Sequence, residues 1–136
     1  MIEAKLESLR RCLQRLRDKL PVSADDLAHD PDIQDIVALN LIRAVQVSAD
    51  IAAHIVAERA WRVPATMGDG FLLLAEQGVL TSDTAQRMRA AVGFRNIAVH
   101  NYERIDWHIV QAILERHLDD FDTFAAAVVL SAGEPK

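Results

Sequence analysis

Apolar residues recur along this chain at steps of three and four, the spacing of one face of an α-helix. No stretch shows the two-residue alternation of a strand, and no internal repeat occurs. Pro21 ends the first helix, and residues 21–31 form a polar linker before Asp30 and Pro31 start the second. The predicted helices cover residues 2–20, 32–59, 66–75, 82–100 and 106–130, followed by a loose tail over residues 131–136. We therefore predict one all-α domain over residues 1–136, an antiparallel helical bundle of four long helices plus a short helix.

The predicted helix 32–59 is apolar on nearly every side, which is typical of a helix buried in a core. One polar stripe interrupts it at steps of three and four: Asn40, Arg43, Gln46, Asp50 and His54. A buried polar group without a partner costs about 1–3 kcal/mol. The stripe either pairs within the helix, with Arg43 held by Asp50 and His54 satisfied locally, or lines a cleft or a subunit contact. We favour the cleft or subunit contact.

Chemically active side chains cluster at the end of the predicted helix 82–100: Arg95, Asn96, His100 and Tyr102. The apolar face of this helix consists of Ala85, Met88, Ala91, Val92 and Val99. Arg95 falls inside that apolar arc, so it must be paired or must face a partner. His100 lies about 140° further round the helix. Either the helix ends or bends between Arg95 and His100, or two copies of the chain complete the site together.

This set of side chains suits phosphate chemistry. A guanidinium binds phosphate bidentately, and an imidazole acts as general acid or base near neutral pH. Arg95 and His100, with Asn96 orienting the substrate, could drive attack of a ribose 2′-hydroxyl on its own phosphate without a metal. The sequence has no zinc-ligand spacing, glycine-rich phosphate loop or recognisable Ser–His frame. The alternative is a purely structural role, in which Arg95 and His100 pair with the carbonyl groups at the end of their own helix.

The charge balance limits how the chain could contact nucleic acid. Its 136 residues carry a formal net charge of −5, which argues against binding RNA over the whole surface but not in a local basic groove. The first helix is the most basic segment, with Lys5, Arg10, Arg11, Arg15, Arg17 and Lys19. We interpret that helix as a solvated face, with an RNA-facing or partner-facing surface as the alternative.

The cysteine content and the N-terminal sequence indicate the cellular compartment. Cys12 is the single cysteine, so no internal disulfide forms and a reducing compartment fits. We interpret Cys12 as a packing residue and His117, on the apolar face of the last helix, as a satisfied core histidine. The N-terminus lacks the apolar segment of a signal peptide, and no apolar run approaches the ~20 residues that span a bilayer. We predict a soluble, cytoplasmic protein without membrane contact.

The spacing Arg95-x4-His100, with Asn96 directly after the arginine and Tyr102 beyond the histidine, resembles the signature of the HEPN superfamily. More narrowly, it is similar to the HepT-type toxins of HepT/MntA toxin–antitoxin pairs. The similarity covers nearly the whole chain and includes NLIRAVQ at residues 40–46, the break at Pro64, FLLLAEQGVL at 71–80 and GFRNIAVHNY at 93–102. One departure is Asn101, where relatives often carry Gly, and it bears on the local turn.

The resemblance implies a HEPN-like bundle that forms a homodimer with its two motifs facing across a shared cleft. The polar stripe and Arg95 place that contact on helices 32–59 and 82–100. The resemblance also implies a metal-independent endoribonuclease toxin of a type VII toxin–antitoxin system, acting on RNA without a cofactor. Arg95 and His100 would be catalytic and Asn96 supportive.

Tyr102 would be the site where a cognate MntA-type nucleotidyltransferase attaches AMP and neutralises the toxin. We expect its hydroxyl to be exposed beside the catalytic pair, the alternative being a tyrosine that anchors the helix end by hydrogen bonding. Two other functional classes stay open. The chain could be a non-catalytic nucleotide-binding partner domain of a nucleotidyltransferase, or a helical interaction module whose Arg and His are structural.

Overall fold

The computed structural model describes residues 2–132, and within them the chain forms seven α-helices and one 3₁₀ turn, without any strand. The elements are α1 Ile2–Asp18, α2 Ala24–His29, α3 Pro31–Glu58, α4 Met67–Glu76, α5 Ser82–His100, the 3₁₀ turn Tyr102–Arg104, α6 Trp107–Arg116 and α7 Leu118–Ala132. The all-α prediction is confirmed. Of the four predicted long helices, α1, α3 and α5 are present as single elements.

The predicted linker over residues 21–31 is wrong in part, because it contains helix α2. The Ser23 side chain caps this helix by accepting a hydrogen bond from the Asp26 N–H at 3.0 Å. Leu27 is fully buried and anchors the helix against the core. A helix of six residues carries one buried apolar position, so it has no periodicity to detect.

The predicted last helix is also wrong, because it breaks in two at His117. The backbone there has φ −120° and ψ 0°, and the His117 Nδ1 lies 3.2 Å from an Asp120 carboxylate oxygen. The His117 side chain is 45% exposed, so it is satisfied by Asp120 but is not the core histidine we expected. The buried positions Leu114 and Leu118 keep their four-residue step across the break, which hides it from pattern analysis.

The predicted tail begins later than expected. Residues 131 and 132 still belong to α7, and Ser131 is buried. Its carbonyl and hydroxyl oxygens both accept from Arg59 Nη2 at 3.4 Å. The remaining tail residues, 133–136, lie outside the described part of the chain.

Helix α3 is the central element and packs against α1, α2, α4 and α5. Our expectation that no apolar run is long enough to span a bilayer is wrong for α3, because an 18-residue window within it has a mean hydropathy of 1.5. Some 56% of that window is buried inside the fold, as in the core helix of a folded domain. The cytoplasmic location stays a prediction.

Helix α5 changes its buried face near its C-terminal end. Ala85, Met88 and Val92 are buried along its first turns, as predicted. In the last turn the buried residue is Ala98, whereas Val99 is 45% exposed, so its assignment to the core face is wrong. This shift leaves the last turn of α5 at the surface of the bundle.

Candidate active site

Two hydrogen bonds join the end of α5 to one side of α3. Arg95 Nη2 donates to Gln46 Oε1 at 3.2 Å, and the Tyr102 hydroxyl donates to Asp35 Oδ1 at 2.6 Å. The two acceptors come from the same helix, and the two donors lie on either side of His100. The predicted motif and part of the predicted polar stripe therefore form one site.

Arg95 has the partners that its position in the apolar arc requires. Besides Gln46, its Nη1 donates to Asn96 Oδ1 at 3.2 Å, and its Nε is buried with no hydrogen-bond partner within residues 2–132. A guanidinium has five N–H donors, and these two bonds use two of them. Each Nη therefore keeps one N–H that an anion can take.

His100 is the last residue of α5 and is exposed, and it makes no hydrogen bond or ion pair with any residue between 2 and 132. Helix α5 runs unbroken through both Arg95 and His100, which excludes a helix end between them. Neither side chain bonds to a helix carbonyl, so the alternative in which Arg95 and His100 pair with the carbonyls of their own helix is wrong. The other alternative, a site completed by two copies, stays a prediction.

Tyr102 opens the 3₁₀ turn that follows α5, and 37% of it is exposed. Its ring packs edge-on against Trp107 with centroids 6.0 Å apart. Burial, followed by the hydrogen bond to the Asp35 carboxylate, raises the pKa of the Tyr102 hydroxyl above its usual value. Tyr102 is therefore partly exposed, as predicted, and it also anchors the turn to α3 by a hydrogen bond, which was the alternative.

Asn101, the one departure from the family pattern, fits the turn. It has φ −154° and ψ 57°, and this negative φ does not require glycine. With its amide oriented to satisfy both neighbours, it donates to Glu103 at 2.6 Å and accepts from Arg104 at 3.2 Å. The substitution therefore leaves the local geometry intact.

Within the polar stripe, Gln46 contacts the motif directly and Asp50 contacts Gln46. Gln46 Nε2 donates to Asp50 Oδ1 at 3.0 Å, and Asp50 Oδ2 lies 3.7 Å from Lys5 Nζ on α1. The alternative in which Arg43 is held by Asp50 is wrong, because Arg43 is exposed and forms no ion pair within residues 2–132.

The other two members of the stripe have their polar contacts inside α3, and one buried oxygen is left without a partner among the described residues. Asn40 is buried and donates to the Ile36 carbonyl at 2.8 Å, while its Oδ1 has no partner among the described residues. His54 Nε2 lies 3.2 Å from a Glu58 carboxylate oxygen. That the stripe lines a shared cleft stays a prediction.

Asp35 is the functional residue that sequence reasoning missed. It lies five residues before Asn40 and so falls off the three-and-four spacing of the stripe. An acidic residue near a helix N-terminus is ordinary there, because it interacts with the helix dipole. The identity of its partner, Tyr102, depends on how α3 packs beside α5, which local sequence does not contain.

The basic residues of α1 are largely paired inside the protein. Arg10 and Arg11 pair with Glu7, and Arg17 bonds to Asp119 and Asp122 of α7. Within residues 2–132, Arg15 of α1 and Lys19, which follows the helix, have no ion-pair partner. These pairs favour the interpretation of α1 as a solvated face.

Cys12 is buried, as predicted for a packing residue, and burial raises the pKa of its thiol. Among residues 2–132, no group of three or more His, Cys, Asp or Glu side chains is placed to hold a metal ion.

A largely apolar groove of ≈ 370 Å³ lies between α5, α6 and α7, with Phe94, Ile97, Ile109 and Ile113 among its lining residues. Arg95, Asn96, His100 and Tyr102 do not line it. The motif and this groove are therefore separate features of the described chain.

Comparison with known proteins identifies the family. The family model "Ribonuclease HepT-like" matches residues 9–128. The chain is 33% identical over 120 residues to the mRNA nuclease HepT of Shewanella oneidensis, covering 88% of this chain and 90% of that protein. It is 30% identical over 106 residues to the tRNA nuclease HepT of Aphanizomenon flos-aquae, covering 78% and 72% respectively.

Solved structures agree with this result. The tri-AMPylated HEPN toxin of Shewanella oneidensis, solved in complex with its MNT antitoxin, superposes with a TM-score of 0.89. The two chains are 32% identical, and the match covers 95% of this chain and 96% of the toxin. The resemblance carried by Arg95, Asn96, His100 and Tyr102 is thereby confirmed at the level of the family. This chain belongs to the HepT-like ribonuclease family of HEPN proteins.

Proposed function

We propose that this chain is the toxin of a toxin–antitoxin pair and acts as a metal-independent endoribonuclease. One observation carries the proposal: a single unbroken helix presents a positioned Arg95 and an exposed, unpaired His100. The nuclease names of the Shewanella and Aphanizomenon relatives support RNA as the substrate.

The chemistry follows from the two side chains. His100 takes the proton of a ribose 2′-hydroxyl, and the 2′-oxygen then attacks the adjacent phosphorus. Arg95 stabilises the charge that builds up on the phosphate oxygens, and Asn96 orients the substrate. The bond to the 5′-oxygen breaks, and that oxygen leaves as a hydroxyl after taking a proton. The products are a 2′,3′-cyclic phosphate and a 5′-hydroxyl end, and no step needs a metal or a cofactor.

The purified protein should therefore cleave RNA in the presence of EDTA and leave 2′,3′-cyclic phosphate ends. Product ends can be identified by mass spectrometry of a short oligonucleotide substrate. Cleavage that stops in EDTA and returns with added magnesium would contradict metal independence. Tight binding of ATP in calorimetry, without any RNA cleavage, would instead favour the nucleotide-binding partner domain.

We also propose that two copies of the chain complete the site. About 140° separates Arg95 from His100 on an unbroken helix, so one chain cannot easily direct both at one phosphate. Exposed apolar side chains flank the motif on both helices: Ile36 and Leu39 on α3, and Ile97 and Val99 on α5. Such residues beside a polar site are typical of a subunit contact.

Light scattering at micromolar concentration should give a mass of twice 15.1 kDa. Leu39→Glu places a charge in the proposed contact and should give monomers with little RNase activity, since Leu39 is 46% exposed on α3. Val63→Glu is the matched control, because Val63 is 87% exposed in the loop after α3 and should tolerate the charge. A monomeric wild-type protein, or an active Leu39→Glu monomer, would refute the shared site.

For the antitoxin, we propose a cognate nucleotidyltransferase of the MntA type that transfers AMP to Tyr102. The tri-AMPylated Shewanella toxin, bound to its MNT antitoxin, supports this pairing. The AMP phosphate would compete with RNA phosphate for the Arg95 guanidinium, so that modification silences cleavage.

A further inference from the structure

We propose that Gln46 is a positioning residue that holds the Arg95 guanidinium for catalysis, and that Asp50 fixes the direction of the Gln46 amide. The inference rests on the proposed ribonuclease function and adds two residues of α3 to its site. It starts from a chain of polar contacts that crosses three helices, from Lys5 through Asp50 and Gln46 to Arg95.

The direction of the Gln46 amide is decided by Asp50. An ionised carboxylate only accepts hydrogen bonds, so the amide NH₂ of Gln46 must face it, at 3.0 Å. The amide oxygen is then left facing Arg95 Nη2, at 3.2 Å. Without Asp50 the amide could turn over and present its NH₂ to the guanidinium, where two donors would repel.

Lys5 completes the chain from α1. Its Nζ lies 3.7 Å from Asp50 Oδ2, while Gln46 binds Oδ1 of the same carboxylate. The Lys5 and Asp50 side chains are 37% and 43% exposed, so this pair adds little to stability. The Lys5 ammonium lies on the Oδ2 side of the carboxylate and leaves Oδ1 to Gln46.

Because the amide at position 46 is neutral, it does not neutralise the positive charge of the Arg95 guanidinium. A carboxylate in the same place would form an ion pair with the guanidinium and compete with the RNA phosphate. Gln46 and Asn96 each take one N–H of Arg95 and add no charge. The arrangement therefore orients the guanidinium and leaves it free to bind an anion.

The first test replaces Gln46 by Met, which keeps the length of the side chain and removes the acceptor. We expect kcat for RNA cleavage to fall by about 10–100-fold, the effect of a small misplacement of a catalytic group. The matched control is Gln14→Met. Gln14 on α1 donates to Asp18 at 2.9 Å, a glutamine–aspartate pair four residues apart like Gln46 and Asp50. Gln14 makes no bond to the motif. Gln14→Met should leave kcat and KM unchanged.

A second readout does not depend on RNA. The side-chain ¹⁵N resonances of Arg95 in wild-type protein should show hindered rotation of the guanidinium, since three of its nitrogens are bonded or buried. Gln46→Met should abolish that restriction, whereas Gln14→Met should preserve it. If wild-type protein shows the restriction but does not cleave RNA, the proposed function fails and the positioning of Arg95 stands.

Gln46→Glu separates orientation from charge. It should raise KM more than it lowers kcat, because the new carboxylate holds Arg95 but competes with RNA phosphate. In the single variant the new carboxylate also meets the Asp50 carboxylate, which repels it and loosens its hold on Arg95. Adding Asp50→Asn replaces that repulsion by a hydrogen-bond donor, so the double variant should show the Arg95 resonances of the wild type while KM stays raised. These variants also serve if Gln46→Met does not fold.

Asp50 should act only through Gln46. Asp50→Ala should lower kcat in the wild-type background and have no further effect in Gln46→Met, as a double-mutant cycle would show. Unchanged Arg95 resonances and unchanged kcat and KM in Gln46→Met would overturn the proposal. Additive effects of the two substitutions would overturn the role given to Asp50.

Discussion

Arg95→Ala and His100→Ala should each lower kcat/KM for RNA cleavage by about 10²-fold or more. Losing a general base usually costs 10²–10⁴-fold, and losing a group that stabilises transition-state charge costs about 10²–10³-fold. Cleavage of a labelled oligonucleotide, followed under single-turnover conditions, measures both effects. The fold should survive His100→Ala, because His100 is exposed and makes no hydrogen bond within residues 2–132.

The chain offers close controls for both substitutions. Arg89 is an exposed arginine on the same helix as Arg95, and His108 is an exposed histidine on α6. Arg89→Ala and His108→Ala should change kcat/KM by less than about twofold, because both side chains are exposed outside the motif, where substitutions usually change stability by no more than about 0.5 kcal/mol. A His100→Ala protein that retains wild-type cleavage would place the active site elsewhere. A His100→Ala protein that loses stability and has no cleavage activity to lose would favour the structural interaction module.

Mixing the two inactive variants tests whether the site is shared. If Arg95 of one copy works with His100 of the other, a heterodimer of Arg95→Ala and His100→Ala chains contains one intact site. Mixed chains should then regain about a quarter of the wild-type activity, since half of the dimers are heterodimers and each has one of two sites. Sites built within single chains would give no recovery.

The sequence predicts the requirements of individual residues better than it predicts their partners. Arg95 falls in an apolar arc, so the sequence predicts that it is paired or faces a partner, without saying which residue the partner is. That Gln46 is the acceptor depends on the packing of α3 beside α5, which joins residues far apart in the chain. The Asp35–Tyr102 bond depends on the same packing and left no local pattern.

The errors in the fold have physical causes of the same kind. Helix α2 is held by the cap at Ser23 and the burial of Leu27, a combination too short to produce a periodic pattern. The break at His117 leaves the apolar spacing from Leu114 to Leu118 unchanged. Hydrophobic periodicity reports which side chains are buried, and it does not report a local change in backbone direction.

Tyr102→Phe should yield a toxin that its antitoxin cannot silence. With a cognate nucleotidyltransferase, ATP and magnesium, the Tyr102 oxygen attacks the α-phosphorus of ATP, pyrophosphate leaves, and the hydroxyl proton passes to a base. A phenylalanine has no oxygen to attack, so the variant should remain unlabelled and stay toxic when both proteins are produced together. The measurements are mass spectrometry of the toxin and colony formation with and without the antitoxin.

Tyr102→Phe should destabilise the fold only slightly, so an effect on labelling can be assigned to the missing hydroxyl. The substitution removes one hydrogen bond to Asp35, an exposed carboxylate that water can satisfy, and keeps the ring against Trp107. We expect a loss of about 0.5–1.5 kcal/mol in the free energy of unfolding and unchanged RNA cleavage. Asp35→Ala loses the same bond but keeps the phenol, and it should still be labelled. Loss of labelling in Tyr102→Phe alone therefore reports the acceptor oxygen and not the lost anchor.

The position of Tyr102 sets the distance that an adduct there must span to reach the Arg95 guanidinium. Asp35 and Gln46, which hold Tyr102 and Arg95, are about 16 Å apart along α3, given a rise of 1.5 Å per residue. Several AMP units, as carried by the Shewanella toxin, would span a distance of that order and place phosphate charge beside Arg95. Tyr102 is the single tyrosine of the chain, so any label on a tyrosine identifies the site. A Tyr102→Phe protein that is still labelled and still neutralised would show that the switch lies on another residue.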